Sequence, residues 1–399
     1  MYKKYSVDGI WMIHSYFVVD PTAPDGSGRV VLSGADLDNN IARVYIFSED
    51  GEVIDTFGDQ AISPDFYHTG LWQSWSSDAK RVFYKAGTDE EPLIVERELS
   101  TGKETIIKGD MEGAPPVDTP IVSGLLGMLY AAGYGTGVYN PQMANVPFQA
   151  RDKHGLFVYD MKSGETQLKL SINDILSIHP DRDKLIKLDK EMRTRFGDDD
   201  GLTLMSYCVR WDRTGENFMF HFGNHCQKRG EPRLCYLFCA DKNLKNVRFT
   251  LDAGGESVGT HFNWHPDGKK LVGYYKPTKN DKFFIASVDV DGSNITKLVD
   301  HSSGGHPSIC PANHNLLATD DTRFIYNGFE TSLGQVLLFD LATGNPLRTL
   351  EIPQHNIIPQ KGGRNPHRIC HHPVFTNDGK KLFFNVLPGK NAHVGMIEL

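Results

Sequence analysis

The run Arg364-Asn365-Pro366-His367-Arg368-Ile369-Cys370-His371-His372-Pro373 gathers three histidines, a cysteine and two arginines. It stands directly before the turn and strand pattern Asn377-Asp378-Gly379-Lys380-Lys381-Leu382-Phe383-Phe384. Imidazole and thiolate ligate transition metals, neutral imidazole takes protons near pH 7, and guanidinium offers a planar fork to carboxylates. Such groups are costly to bury unless they bind something. Other histidines recur at related distances before an Asp-containing turn. His14 lies 11 residues before Asp25, His68 lies 10 before Asp78, and His261 lies 6 before Asp267; His367 and His372 lie 11 and 6 before Asp378. His306 enters a further repeat in the same way. A lone histidine at such a place is ordinarily structural, but a set near equivalent repeat positions is less easily ascribed to chance. Two histidines and a third His or Cys with an open position suit zinc, manganese or iron. His265 and His371 are offset by one or more residues and read as structural.

Basic residues add to the pattern. The loop His221-Phe222-Gly223-Asn224-His225-Cys226-Gln227-Lys228-Arg229-Gly230-Glu231-Pro232-Arg233 reads either as a solvated hairpin loop or as an anion clamp carried by Arg233, with His225 beside it. Tyr134, Tyr139 and Arg151 offer stacking and one more cation. Trp72 and Trp75 read equally as core and as a sugar platform. Other chemistries find little support: GxxxxGK[ST] and GxSxG are both absent, and no pair of carboxylates stands out for glycoside hydrolysis.

The elements that must position these residues repeat along the chain. Each unit reads as apolar strand, Asp/Asn/Gly turn, strand, loop, strand, turn and a fourth strand. Seven such units predict an all-β, seven-bladed β-propeller of four-stranded antiparallel blades in one domain, 1–399. The third unit, about 118–172, is the least regular. The seventh is one strand short, so the N-terminal segment, either Tyr5-Ser6-Val7-Asp8 or Trp11-Met12, is expected to close the ring. Helix is expected only in an insertion at about 173–200, interrupted by Pro180. The Gly-rich stretch 131–141 reads as a long loop. In a propeller the first strand of each blade lines the central channel, so residues that enter these strands converge at one mouth.

Bulk properties bound the function. The chain has 399 residues, 39 of them glycine, is 39% hydrophobic and carries a net charge of −8, which fits a turn-rich globular protein and argues against non-specific nucleic-acid binding. No run of 18 apolar residues is present, so no membrane span is expected. The start lacks a signal-peptide core, giving a cytoplasmic expectation, or a secreted or periplasmic one if a signal has been removed. A monomer is the default for a closed ring. The six cysteines, all beyond residue 200, contain no CxxC pair.

Four stretches are similar to the oligogalacturonate lyases and, more distantly, to the propeller ulvan lyases: His14-Ser15-Tyr16-Phe17 with Leu32-Ser33-Gly34-Ala35-Asp36; Pro232-Arg233-Leu234; Glu256-Ser257-Val258-Gly259-Thr260-His261-Phe262; and His372-Pro373-Val374-Phe375-Thr376-Asn377-Asp378-Gly379. The resemblance implies β-elimination on a uronate-containing oligo- or polysaccharide, leaving a 4,5-unsaturated end. It implies His261 as proton acceptor, Arg233 as catalytic arginine, and His306 and His372 as ligands of a divalent metal (manganese, zinc or calcium). His367 and Cys370 stand where that pattern has glutamine and histidine ligands. His14, His68, Tyr134, Arg151 and His225 are the expected substrate contacts. The alternatives are a non-catalytic propeller that binds a ligand or protein on one face, and a hydrolase or sugar-binding protein on the same scaffold.

Overall fold

The structure is a computed structural model. It describes residues 2–62, 69–88, 91–124, 126–133, 139–144, 146–197, 201–224, 231–253, 261–278, 280–302, 305–321, 333–353, 370–387 and 391–399. Seven antiparallel sheets form the seven-bladed propeller. Blade 1 comprises Trp11–Ile13, Val30–Asp36, Ile41–Phe47 and Val53–Ala61. Blades 2, 4, 5 and 6 repeat the four-strand order, with inner strands at Ser74–Trp75, Met205–Trp211, Asn263–Trp264 and Ser308–Ile309. In blade 7, Val374–Phe375, Lys381–Val386 and His393–Glu398 are completed by Lys3–Tyr5, which pairs with Val394–Met396 and closes the ring. The closing strand therefore overlaps the first expected candidate at Tyr5, and Trp11-Met12 belongs to blade 1.

Two departures from regularity shape the channel. Blade 3 shows three paired strands among the described residues: Ile121–Ser123, Gly155–Asp160 and Glu165–Ser171. The segment 112–116 lines the channel where an inner strand would run. Pro115 and Pro116 have no N–H to give to a ladder, so Ala114 N donates instead to Ser74 Oγ and Glu112 accepts from Val209 N. The unit thus starts upstream of the expected boundary. In blade 1, Ile13 pairs with Ser33, yet the next contact with the neighbouring strand is Thr22 with Val30. Residues 14–20 therefore leave the strand, carrying Tyr16 and Phe17 into the channel, where the sequence suggested a continuous strand.

Each blade-to-blade junction has its own apolar core. Trp11, Ile13 and Val44 meet Trp75, Val82 and Val95 between blades 1 and 2, and Met219 and Leu237 meet Trp264 and Leu271 between blades 4 and 5. Fully burying one such side chain contributes about 1.5–3 kcal/mol. The indole N–H groups of Trp75 and Trp264 donate to Pro21 O and Arg210 O of the preceding blade. Both tryptophans are thus structural spacers. Helices α1 (Leu126–Ala131), α2 (Ile172–Ile178) and α3 (Arg182–Phe196) complete the chain. The last two occupy the predicted insertion and are separated at Pro180; α1 was not anticipated. No helix among the described residues is long and apolar enough to cross a membrane.

Candidate active site and metal centre

The sheet registers show why the histidines converge. In blades 2, 5, 6 and 7 the inner strand opens on the pairs Ser74 with Phe83, Asn263 with Val272, Ser308 with Ala318, and Val374 with Phe383; in blade 4 the corresponding pair, Arg210 with Met219, follows a bulge in a longer inner strand that pairs from Met205 onward. Two residues earlier stand Trp72, Cys208, His261, His306 and His372. This one repeat position thus recurs in blades 2, 4, 5, 6 and 7. In three of these, φ is positive: +52° at Trp72, +54° at Cys208 and +47° at His372. Left-handed backbone at non-glycine residues costs roughly 1–3 kcal/mol and marks places where strain is held by surrounding structure.

Three of these residues are imidazoles in contact: His261 stacks on His306, and His372 meets His306 edge to face. The His261 and His306 ring centroids are 4.2 Å apart, and those of His306 and His372 are 4.3 Å apart. His306 and His372 are fully buried, whereas His261 is half-buried and lies outermost. His261 Nδ1 lies 3.1 Å from Gly305 O. A carbonyl only accepts, so Nδ1 carries the proton and Nε2 presents the lone pair. Burial lowers the His261 pKa well below the ordinary value, and the charges of His306 and Arg210 push in the same direction. The ring is therefore neutral at pH 7.

Asp320 organises the next pair. Its carboxylate accepts from His306 Nδ1 at 2.9 Å, from His306 N at 2.7 Å and from His372 N at 3.1 Å. Burial alone would raise this carboxyl, but the charge and hydrogen bond of His306 hold it well below the usual carboxylate range. His306 Nε2 has no hydrogen-bond partner among the described residues. Cys370 Sγ completes a group: donor atoms of His306, Cys370 and His372 all lie within 4.8 Å of one another. Asn385 Nδ2 donates to Cys370 O and its Oδ1 accepts from His14 N, fixing that segment. An orphaned, oriented imidazole nitrogen beside a thiol and a second imidazole fits a metal ion.

Tyr16 and Phe17 floor the cluster. Tyr16 packs 4.6 Å from the His372 ring and Phe17 packs 5.1 Å from His306. Buried Arg210 lies over both aromatic rings and donates through Nη1 to Phe262 O. Beyond this floor the channel holds a cavity of about 170 Å³ lined by Asp20, Glu112, Arg213, Trp264 and Asn377. Burial raises the Glu112 carboxyl to about 7.

The remaining expected residues fall as follows. His14 is buried in the wall, 6.3 Å from His372, with Nε2 against His371 O; burial lowers it to about 4. Arg233 is half-buried ahead of the strand Cys235–Asp241, where its charge bears on the Tyr207 phenol. Arg151 is no channel residue: its guanidinium is buried against Asp189 of α3 at 2.7 Å and against Leu202 O, anchoring the helical insertion. His68, Tyr134, His225 and His367 lie outside the described residues. His371 is structural, with Nδ1 on Asn385 O. None of the five described cysteines is in a disulfide with another described residue. Sequence reasoning missed Asp320, Asn385, Tyr16, Phe17 and Arg210. A signal existed for two of them: Asp320 ends the apolar run Leu316-Leu317-Ala318-Thr319, and Arg210 stands inside an inner strand, both places where charge is expensive.

No protein-family model matches the sequence, and no curated protein matches it either. Solved structures do. An oligogalacturonate lyase in complex with manganese superposes with a TM-score of 0.62 at 16% identity, covering 100% of this chain and 96% of that one. An oligogalacturonate lyase from Vibrio parahaemolyticus gives 0.62 at 14% identity with the same coverage. At these identities the likeness shows a shared fold.

Proposed function

We propose that this protein is a polysaccharide lyase that cleaves a uronic-acid-containing oligosaccharide by β-elimination. The observation that carries the reading is His261: outermost in the cluster, neutral, and held by Gly305 O so that Nε2 is the basic atom. The C5–H of a uronate is too weakly acidic for imidazole unless charge that develops on the carboxylate is stabilised. His261 Nε2 takes the C5 proton. The electron pair forms the C4–C5 double bond, the C4–O bond breaks, and the leaving oxygen takes a proton from water or from a phenol such as Tyr16. Arg233 is assigned to the substrate carboxylate. His306, Cys370 and His372 would hold a divalent metal, which when bound supplies Lewis-acid stabilisation of that carboxylate. Asp320 orients His306, and Arg210 keeps a positive charge near His261, favouring its neutral form. His14, His68, Tyr134 and His225 remain assigned to substrate contact. The test is ultraviolet absorbance on oligogalacturonate, ulvan and glucuronate-capped glycans. The expected result is a rising signal from the conjugated product on one of them; products that gain water and no double bond would establish hydrolysis instead.

A further inference from the structure

From the donor set we infer that the metal centre is a thiolate site, with Cys370 a ligand and zinc-class ions (zinc, cobalt or ferrous iron) preferred over manganese or calcium. The inference deepens the proposed function, because it rests on a metal at His306, Cys370 and His372. Three observations lead to it. First, Cys370 is 1% exposed, and its sulfur belongs to the one cluster of described ligand atoms within 4.8 Å of one another. Tetrahedral zinc has Zn–S near 2.3 Å and Zn–N near 2.0–2.1 Å, which puts donors about 3.5 Å apart. Second, His306 is set up as a ligand in advance: its Nδ1 is committed to Asp320 at 2.9 Å, and its Nε2 is buried with no hydrogen-bond partner among the described residues. That is the carboxylate–histidine–metal arrangement that fixes a ligand's tautomer. Third, compensating charge is at hand: a buried carboxylate, Asp320, stands behind His306, and Cys370 gives up its thiol proton on binding a cation.

Hard ions take oxygen donors, whereas thiolate selects softer ions. Nothing in the described cluster resembles an all-oxygen cage: the donors are sulfur and two imidazoles, and the carboxylate stands behind one imidazole. Among the described residues, the three protein ligands leave a coordination position for a substrate oxygen, as catalytic zinc sites do.

The experiment uses the full chain, stripped with chelator and then loaded with zinc or cobalt(II). Zinc-edge X-ray absorption should find one sulfur near about 2.3 Å among lighter neighbours. Cobalt should give an intense near-ultraviolet thiolate-to-metal band. Cys370→Ser should lose both signatures and bind zinc more weakly by more than the about 10- to 100-fold that loss of an outer partner costs. Cys370→His, an imidazole replacement that keeps three donors, should retain metal without the sulfur signal and bind manganese relatively better. A shell of nitrogen and oxygen only in the wild type, equal zinc affinity and spectra in Cys370→Ser, or no uptake of either ion would overturn the inference. None of these readouts needs a substrate. A sulfur-ligated centre in a protein without lyase activity would overturn the proposed reaction and leave this inference standing.

Discussion

At the scale of single residues, the account turns on which nitrogen each imidazole presents. His261 gives Nδ1–H to a backbone carbonyl and His306 pairs its Nδ1 with Asp320, so in each ring Nε2 is the nitrogen left for base or ligand chemistry. His261→Ala should lower the elimination rate by about 100- to 10,000-fold, the usual contribution of a general base, with an unchanged circular dichroism spectrum. Asp320→Asn tests positioning: it keeps the shape but offers His306 a weaker acceptor, and metal affinity should fall about 10- to 100-fold, read by titration of stripped protein. Sequence found the histidines because imidazole is rare and its spacing repeats. It did not separate wall from mouth. His14 shares an offset of 11 with His367, yet the structurally equivalent set stands six residues before the turn, where His261 and His372 fall. Arg151 misled because a cation near tyrosines says nothing about the carboxylate that neutralises it, here Asp189, 38 residues away.

At the scale of elements, the inner strands are short, and their entries do the positioning. The left-handed residues Trp72 and His372 show that the chain bends just before it pairs, and left-handed Cys208 sits at a bulge inside the longer inner strand of blade 4. No pattern of apolar alternation encodes that bend, so the sequence yields the strands and hides their entry geometry. The departure of 14–20 was hidden for the same reason: its apolar residues pack against the histidines instead of a sheet face. The turns after the inner strands were legible, because Asp-Gly and Thr-Gly supply the positive φ that Gly215, Gly268 and Gly379 adopt at +67°, +68° and +69°. Blade 2 has Ala79 there, at φ +56°. Ala79→Gly should therefore stabilise the protein by about 0.5–1 kcal/mol, visible as a higher urea midpoint.

At the scale of the molecule, seven-fold repetition made the propeller readable, since each unit announces itself by turns. The irregular third blade was not, because prolines replace its ladder. Closure depends on Lys3–Tyr5, with Tyr5 buried against Phe47 and Phe383. Deleting residues 1–7 should expose the edge of His393–Glu398 and produce association, measured by light scattering. Acid should also weaken the fold. Burial lowers His14, His154, His179 and His393 to about 4 from 6.5. Between pH 6.5 and 4 the unfolded chain binds more protons at these sites, so stability falls as pH drops. Asp20 and Glu112, raised to about 6 and about 7 by burial, act in the opposite sense but are fewer. A lower urea midpoint at pH 5 than at pH 7 is expected. The most direct test of the central claim is the ultraviolet trace of wild type and His261→Ala, at equal concentration, on the uronate substrate panel. The account predicts a rising absorbance from wild type on one substrate and a flat trace from the variant; full activity in the variant, or silence from folded wild type on every uronate, would contradict it.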